Sequence, residues 1–235
     1  MNSEHLSCES CSLKSNNLFQ CVKPKFLQDV SISKETKFYK KGSCIFKAGD
    51  EATHFFCIRS GHVRTFKSNH GGREQTFLIK SEGDWVGCRD VIIDNQYNYT
   101  AICMDDVVVC SIPKQQMQAL NSEPNFQAEM IKEMAKSWRD SEERIYSLGT
   151  KQIHSKLAEF LLMYYRSNDC QEELTLPITR EVIASIIGTT TESVIRALSD
   201  FKAREWINLE KNRISFRNIA ALTSISELEH NQIVH

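Results

Sequence analysis

Residues 188–206 read GTTTESVIRALSDFKAREW, and the spacing of their apolar side chains decides what surrounds them. For a helix starting at Thr191 and turning by about 100° per residue, Val194, Ala197, Leu198 and Phe201 share one side, which must be buried. Glu192, Arg196, Ser199 and Ala203 fall on the opposite side, with Ile195 on the flank. Gly188 ends the element before, and Thr190 stands where a cap is needed. Taken alone, Glu192 and Arg196 form an intrahelical ion pair worth roughly 0.2–0.5 kcal/mol. Their neighbours give the pair a second reading.

Upstream, LTLPITREVIASIIG gives a short strand, a proline and then Thr179 as an N-cap, with Val182, Ile183 and Ile186 facing inward. Two short helices joined by a few residues containing glycine are a helix-turn-helix signature. Downstream, WINLEKNRISF reads as a small hairpin turned at KN, a wing. The outward face of the second helix then carries Glu192 and Arg196 in the part that enters a major groove. Arginine can donate two hydrogen bonds to guanine, and glutamate can accept one from cytosine. The hydroxyls and backbone N–H groups at Thr190 and Thr191 suit phosphates. Arg180, Lys211 and Arg213 are further basic groups in this region, the last two reasonable phosphate contacts on the wing.

Further upstream, PNFQAEMIKEMAKSWRDSEERIYSLG places Phe126, Met130, Met134, Trp138, Ser141, Ile145 and Leu148 at spacings of three and four. This is one apolar stripe on a long helix, suited to pairing in a homodimer. Gly149 is expected to break that helix before a second one, TKQIHSKLAEFLLMYYRS. Seven of the nine glycines fall between Gly42 and Gly87, among β-branched and aromatic runs such as HFFCIRSG and DVVVCSIP. Residues from about 36 to 113 therefore read as an all-β roll or barrel, with SNHGGRE as a hairpin connection.

Composition narrows the function. The 235 residues are 25% charged with a net charge of −1, so any DNA-binding surface must be local. The polar, acidic start MNSEHLSCES lacks the pattern of a secretory signal, and no stretch has the roughly 18 apolar residues of a membrane span, so the protein is expected to be cytoplasmic. No G-x-S-x-G, P-loop or H-E-x-x-H is present, and an enzyme is not expected. Nine cysteines in a reducing compartment do not suggest a disulfide framework. Cys57 and Cys103 lie in apolar runs and read as small buried hydrophobes. Cys8 and Cys11, in CESC, lie in polar sequence with metal-ligand spacing. The histidines, including His54, His62, His70 and His154, are scattered, and His154 has no acidic partner at useful spacing on its helix.

KKGSCIFKAGD, IRSGHVRTF, GDWVG, VCSIP and TTESVIRAL, in this order, resemble the Crp/Fnr family of bacterial transcription regulators, and its Fnr branch in particular. The resemblance runs across nearly the whole chain. It implies an α+β fold: an N-terminal cysteine-containing segment (1–24), a cyclic-nucleotide-binding-like β-roll (25–121), a long dimerisation helix (122–149) and a C-terminal winged helix-turn-helix (150–235). It implies a homodimer on a roughly palindromic operator of double-stranded DNA, with a TGA-like core in each half-site, recruiting or obstructing RNA polymerase. Glu192 and Arg196 match the family's base-reading pair, and Thr191 and Ile195 match its more variable specificity positions.

The resemblance also frames the effector. Cyclic-AMP-binding members carry a glutamate and an arginine that hold ribose and phosphate; GDWVGCRDV and YNYTA lack both at the matching positions, with Arg89 near the turn but at the wrong place, which argues against cyclic nucleotide. An iron-sulfur cluster, 4Fe-4S in the Fnr branch, needs thiolate ligands. Cys8 and Cys11 match its first two and Cys110 the distant fourth, whereas the third has no ungapped match and would have to be Cys21 on a lengthened loop. A thiol-based switch, haem or another small molecule are the alternatives, as is a ligand-sensing module that does not bind DNA.

Overall fold

The computed structural model describes residues 7–13, 18–93, 95–211 and 213–227. These form two compact units, divided between Trp138 and Arg139. The first contains a 3-10 turn at Leu18–Cys21, α1 (Pro24–Ser33), strands β1 (Glu35–Tyr39), β2 (Cys44–Phe46), β3 (His54–Ser60), β4 (Val63–Ser68), β5 (Glu74–Lys80) and β6 (Trp85–Val86), then α2 (Cys88–Ile93), β7 (Thr100–Cys103), β8 (Val107–Pro113) and α3 (Lys114–Asn121). The strands make two four-stranded antiparallel sheets, ordered β1-β8-β3-β6 and β2-β7-β4-β5. Phe46, Phe56, Ile58, Val63, Val107 and Val109 are part of the core of this roll, and Leu27 and Val30 of α1 join them. The hairpin expected at SNHGGRE joins β4 to β5, closed by Asn69 N–H donating to Arg73 O at 3.0 Å.

Gly61 shows why glycine is needed at one of these turns. Its φ is +87°, and an added Cβ would lie 2.6 Å from the backbone oxygen of Asp106. A side chain there meets both backbone strain and a fixed atom.

Helix α4 (Pro124–Thr150) begins with proline at its first position and Glu123 before it, whose buried carboxylate accepts from Phe126 N–H at 2.8 Å. Phe126 and Met130 are packed in the roll's core, whereas Met134 (51% exposed), Trp138 (71%) and Ile145 (70%) are not covered. The expected stripe thus has two parts, and Ile131, 66% exposed, extends the outward one. The helix also continues through Gly149, contrary to the expected break. Lys156 Nζ, from the next helix, donates to the Leu148 carbonyl at 2.7 Å, and the Thr150 hydroxyl donates to Tyr146 O at 2.7 Å. The last-turn carbonyls are therefore satisfied without ending the helix at the glycine.

The second unit continues with α5 (Ile153–Ser167), β9 (Glu173–Thr175), α6 (Arg180–Ile187), α7 (Thr191–Ala203), β10 (Ile207–Glu210), β11 (Arg213–Phe216) and α8 (Ile219–Glu227). Its sheet is ordered β10-β11-β9. Its buried side chains include Leu157, Leu161, Ile183, Val194, Phe201 and Leu222, each fully covered. Lys151 Nζ ties this unit together through the Glu159 carboxylate and Ser226 O. Phe201→Ala should cost this unit about 3–5 kcal/mol, because a fully buried ring leaves a cavity. Calorimetry should show the transition of the C-terminal unit moving to lower temperature while that of the roll stays in place.

Candidate nucleic-acid interface and sensor thiols

Each of the two helices α6 and α7 starts from a threonine. The Thr179 hydroxyl accepts from Val182 N–H and the Thr190 hydroxyl from Ser193 N–H, both at 3.3 Å. Between the helices Gly188 adopts φ +69° and ψ +38°, the left-handed cap that lets the chain reverse in so few residues. Val194, Ala197, Leu198 and Phe201 are all buried, so the side of α7 facing the core is the one that the spacing implies. Glu192, Ile195, Arg196 and Ser199 lie on the exposed side, together on a continuous face. Thr191 is half-buried at the start of that face.

Glu192 does something that the four-residue spacing does not suggest. Its carboxyl is held below its ordinary value first by its own backbone N–H, then by the Thr190 hydroxyl, and only weakly by the charge of Arg196. The carboxylate therefore completes the helix cap, and the Arg196 guanidinium is not committed to it. Glu181 at the start of α6 is lowered in the same way, by its own N–H and by Thr179. Lys211 and Arg213 are exposed at the end of the β10–β11 hairpin, and Lys211 has φ +52°. Asn212, the other half of the expected turn, lies outside the described residues. Arg180 is half-buried at the start of α6. A strand absent from the expected two-stranded wing, β9, extends it by pairing with β11.

The cysteines expected as iron-sulfur ligands do not all share one environment. No disulfide joins any of the nine. Cys8 and Cys110 are buried, and Cys11 is half-buried. Burial pushes the Cys110 thiol up; Lys34 and Arg59 oppose this, while Cys8 and Cys11 add to it. These three thiols thus share one electrostatic neighbourhood. Cys21 is not part of it: its Sγ donates to Leu18 O at 3.3 Å, and the charges that act on it are Glu129, Glu123 and Lys132. Among the described residues, no three His, Cys, Asp or Glu side chains already stand in metal-binding geometry.

The stretch GDWVGCRDV is held by side chains of YNYTA and by one of its own, Asp90. Tyr99 Oη accepts from Gly87 N–H at 2.8 Å, and Tyr97 stacks on Phe46 with ring centroids 3.8 Å apart. Asp90 is 3% exposed, with Oδ1 accepting from Arg89 and Oδ2 unpartnered. A phosphate brought here would meet a buried carboxylate, a costly like-charge contact.

Residues 36–123 match the family description "Cyclic nucleotide-binding domain", and residues 155–225 match "Crp-like helix-turn-helix domain". The chain belongs to the Crp/Fnr family. It is therefore a transcription regulator with a helix-turn-helix DNA-binding domain. It is 26% identical to the "Anaerobic regulatory protein" of Aggregatibacter actinomycetemcomitans, over 97% of this chain and 91% of that one. It is 27% identical to the "Fumarate and nitrate reduction regulatory protein" of Vibrio cholerae, over 94% and 90%. In fold it is similar to FixK2 from Bradyrhizobium japonicum, with a TM-score of 0.74 and 23% identity over 82% of this chain and 96% of that one. No described helix is long and apolar enough to cross a membrane.

Lowered carboxyls at both caps give this Crp/Fnr regulator an acid-sensitive element. A depressed folded pKa contributes stability above the unfolded value, 4.5 for glutamate, and that contribution is lost as pH falls through the folded value. Glu192→Gln should therefore lower the melting temperature above pH ~5, where the carboxylate contributes, and converge on the wild type at acid pH, which flattens the acid limb. A variant that melts with the wild type at neutral pH as well would show that the cap does not depend on this carboxylate.

Proposed function

We propose that this regulator acts as a homodimer that reads a palindromic operator of double-stranded DNA with α7, under control of oxygen or redox state through a thiol-bound iron-sulfur group. The observation that carries the DNA reading is the two-sided burial of α7: its apolar side is closed, and Glu192, Ile195, Arg196 and Ser199 are all presented together on the other. Arg196 is the donor for a guanine edge and Glu192 the acceptor for a cytosine N4 group. Thr190, Thr191, Arg180, Lys211 and Arg213 place the helix through phosphates, which fixes register without reading sequence. A TGA-like half-site follows from the resemblance of the Glu192 and Arg196 positions.

The dimer reading is supported by α4. Ile131, Met134, Trp138 and Ile145 lie exposed along one helix at heptad-compatible spacings. Covering such side chains is worth about 1.5–3 kcal/mol each, a strong drive to pair with a second copy. Contact with RNA polymerase in the cytoplasm belongs to the same proposal, since a bound regulator acts on transcription by helping or blocking it.

For the sensor, the donor chemistry fits. Iron-sulfur groups take soft thiolates, and Cys8 and Cys11 act electrostatically on Cys110, as does Lys34, which is only 6% exposed. When bound, such a group supplies an oxygen-sensitive redox centre. The chain's own part is to hold it and to keep water away. The names of the anaerobic and fumarate and nitrate reduction regulatory proteins support this reading. A free thiol switch is served less well, because burial raises the Cys110 thiol and so reduces its reactive thiolate form.

Gel-shift titrations on operator variants test the DNA reading. Arg196→Ala should lose about 1–3 kcal/mol of discrimination at one base pair per half-site, whereas Arg213→Ala should weaken all sequences alike and lower the salt slope by about 1 per protomer. Equal loss on every sequence in Arg196→Ala would reject the assignment. In sedimentation, Trp138→Glu should shift the dimer to monomer, since a charge in the seam opposes pairing.

A further inference from the structure

Cys57 reads in the sequence as a small buried hydrophobe, and it is buried in the structure. It lies on β3 directly opposite Cys110 of β8, and Thr36 of β1 is the next residue across. Directly opposed residues on antiparallel strands carry their side chains on the same face with Cβ atoms about 4.5–5.5 Å apart. Both cysteines are buried, at 6% and 7% exposure, yet neither belongs to the hydrophobic cluster that fills the roll. The segment carrying Cys8 is held nearby: Cys8 N–H donates to Ser31 Oγ at 2.8 Å, in the last turn of α1. The chain then passes through Lys34 directly into β1, beside Cys110.

The electrostatics agree with this placement. Burial pushes the Cys57 thiol up, Cys110, Cys11 and Cys8 push it further, and Lys34 pulls it down. The same lysine and the same two N-terminal thiols act on Cys110. Cys21 belongs to a different neighbourhood, that of Glu123, Glu129 and Lys132.

We propose that Cys57 is the fourth thiolate of the sensor site, together with Cys8, Cys11 and Cys110, and that Cys21 lies outside it. The inference rests on the thiol-bound iron-sulfur reading above and assigns the ligands of that site. The N-terminal C-x-x-C pair closes over two thiols fixed by strand register. Each thiol gives up its proton to solvent as its sulfur bonds to iron, and with ferrous and ferric iron supplied in equal amounts the mixed-valence 4Fe-4S core assembles with sulfide without net oxidation or reduction. The buried ammonium of Lys34 offsets part of the negative charge that four thiolates bring, and metal bonding removes the cost of burying them as bare anions.

The experiment is anaerobic reconstitution of the full-length protein with equal amounts of ferrous and ferric iron and with sulfide, reading bound iron, acid-labile sulfide and visible absorption. Cys57→Ser and Cys57→Ala should each lose most of the iron and colour, while Cys21→Ala and the buried control Cys103→Ala should load like the wild type. Melting curves of the unloaded variants check that they fold. The wild type gives an independent reading: Cys21, half-buried, should react with an alkylating reagent equally before and after loading. Full loading in both Cys57 variants, loss of iron in Cys21→Ala, or protection of Cys21 on loading would each overturn the assignment. If the wild type itself takes up no iron, the iron-sulfur reading fails and takes this inference with it, whereas the operator titrations still test DNA recognition separately.

Discussion

Everything that α7 can do depends on how it is rotated about its own axis, and that rotation is fixed by burial. Val194 and Phe201 have no exposed surface, and Ala197 and Leu198 almost none. Turning the helix by a single residue would lift part of this strip into water and drive Arg196 toward the core, where an unpaired guanidinium is strongly penalised. The interior therefore points the outward side chains. The caps fix the other degree of freedom, position along the axis, because Thr190 and Gly188 define where the helix starts. Base-reading chemistry on such a helix is inherited from hydrophobic packing behind it.

The β-roll works from a different constraint. In an antiparallel sheet, hydrogen-bond register decides which side chains meet, and residues far apart in sequence become neighbours at a fixed spacing. Cys57 and Cys110 are brought face to face in this way, across the β3–β8 pair. Burial then raises both thiols, which keeps them protonated and makes them poor nucleophiles. Asp90 is buried at the stretch that matches the nucleotide turn, the Tyr99 hydroxyl accepts from Gly87 N–H there, and Tyr97 stacks on Phe46, so the roll keeps the nucleotide-binding architecture with different chemistry inside it.

Helix α4 joins these two themes in one element. Its first turns carry Phe126 and Met130 into the roll's core, and its later turns present Trp138 and Ile145 to solvent. Periodicity treats these residues as one stripe, because the spacing is the same throughout. Which of them meet the roll depends on where the roll ends, and no local pattern contains that information.

Sequence alone determined the elements whose signals are local. The burial of one side of α7, the threonine caps, the SNHGGRE hairpin, the β-rich first half and the helix-turn-helix could all be read from periodicity and turn chemistry, since each depends on residues a few positions apart. Tertiary structure decided the partnerships. His154 has no acid within reach on its own helix, yet its Nε2 stands 3.4 Å from Asp200 Oδ2 of α7. Glu192 is engaged mainly by its own N-cap in preference to Arg196. Cys57, apolar by context, faces Cys110, while Cys21, the expected companion, lies with Glu123 and Glu129. Short-range propensity records which conformation a segment prefers; which side chains share a site is set by strand register and helix packing, and those join residues separated by dozens of positions.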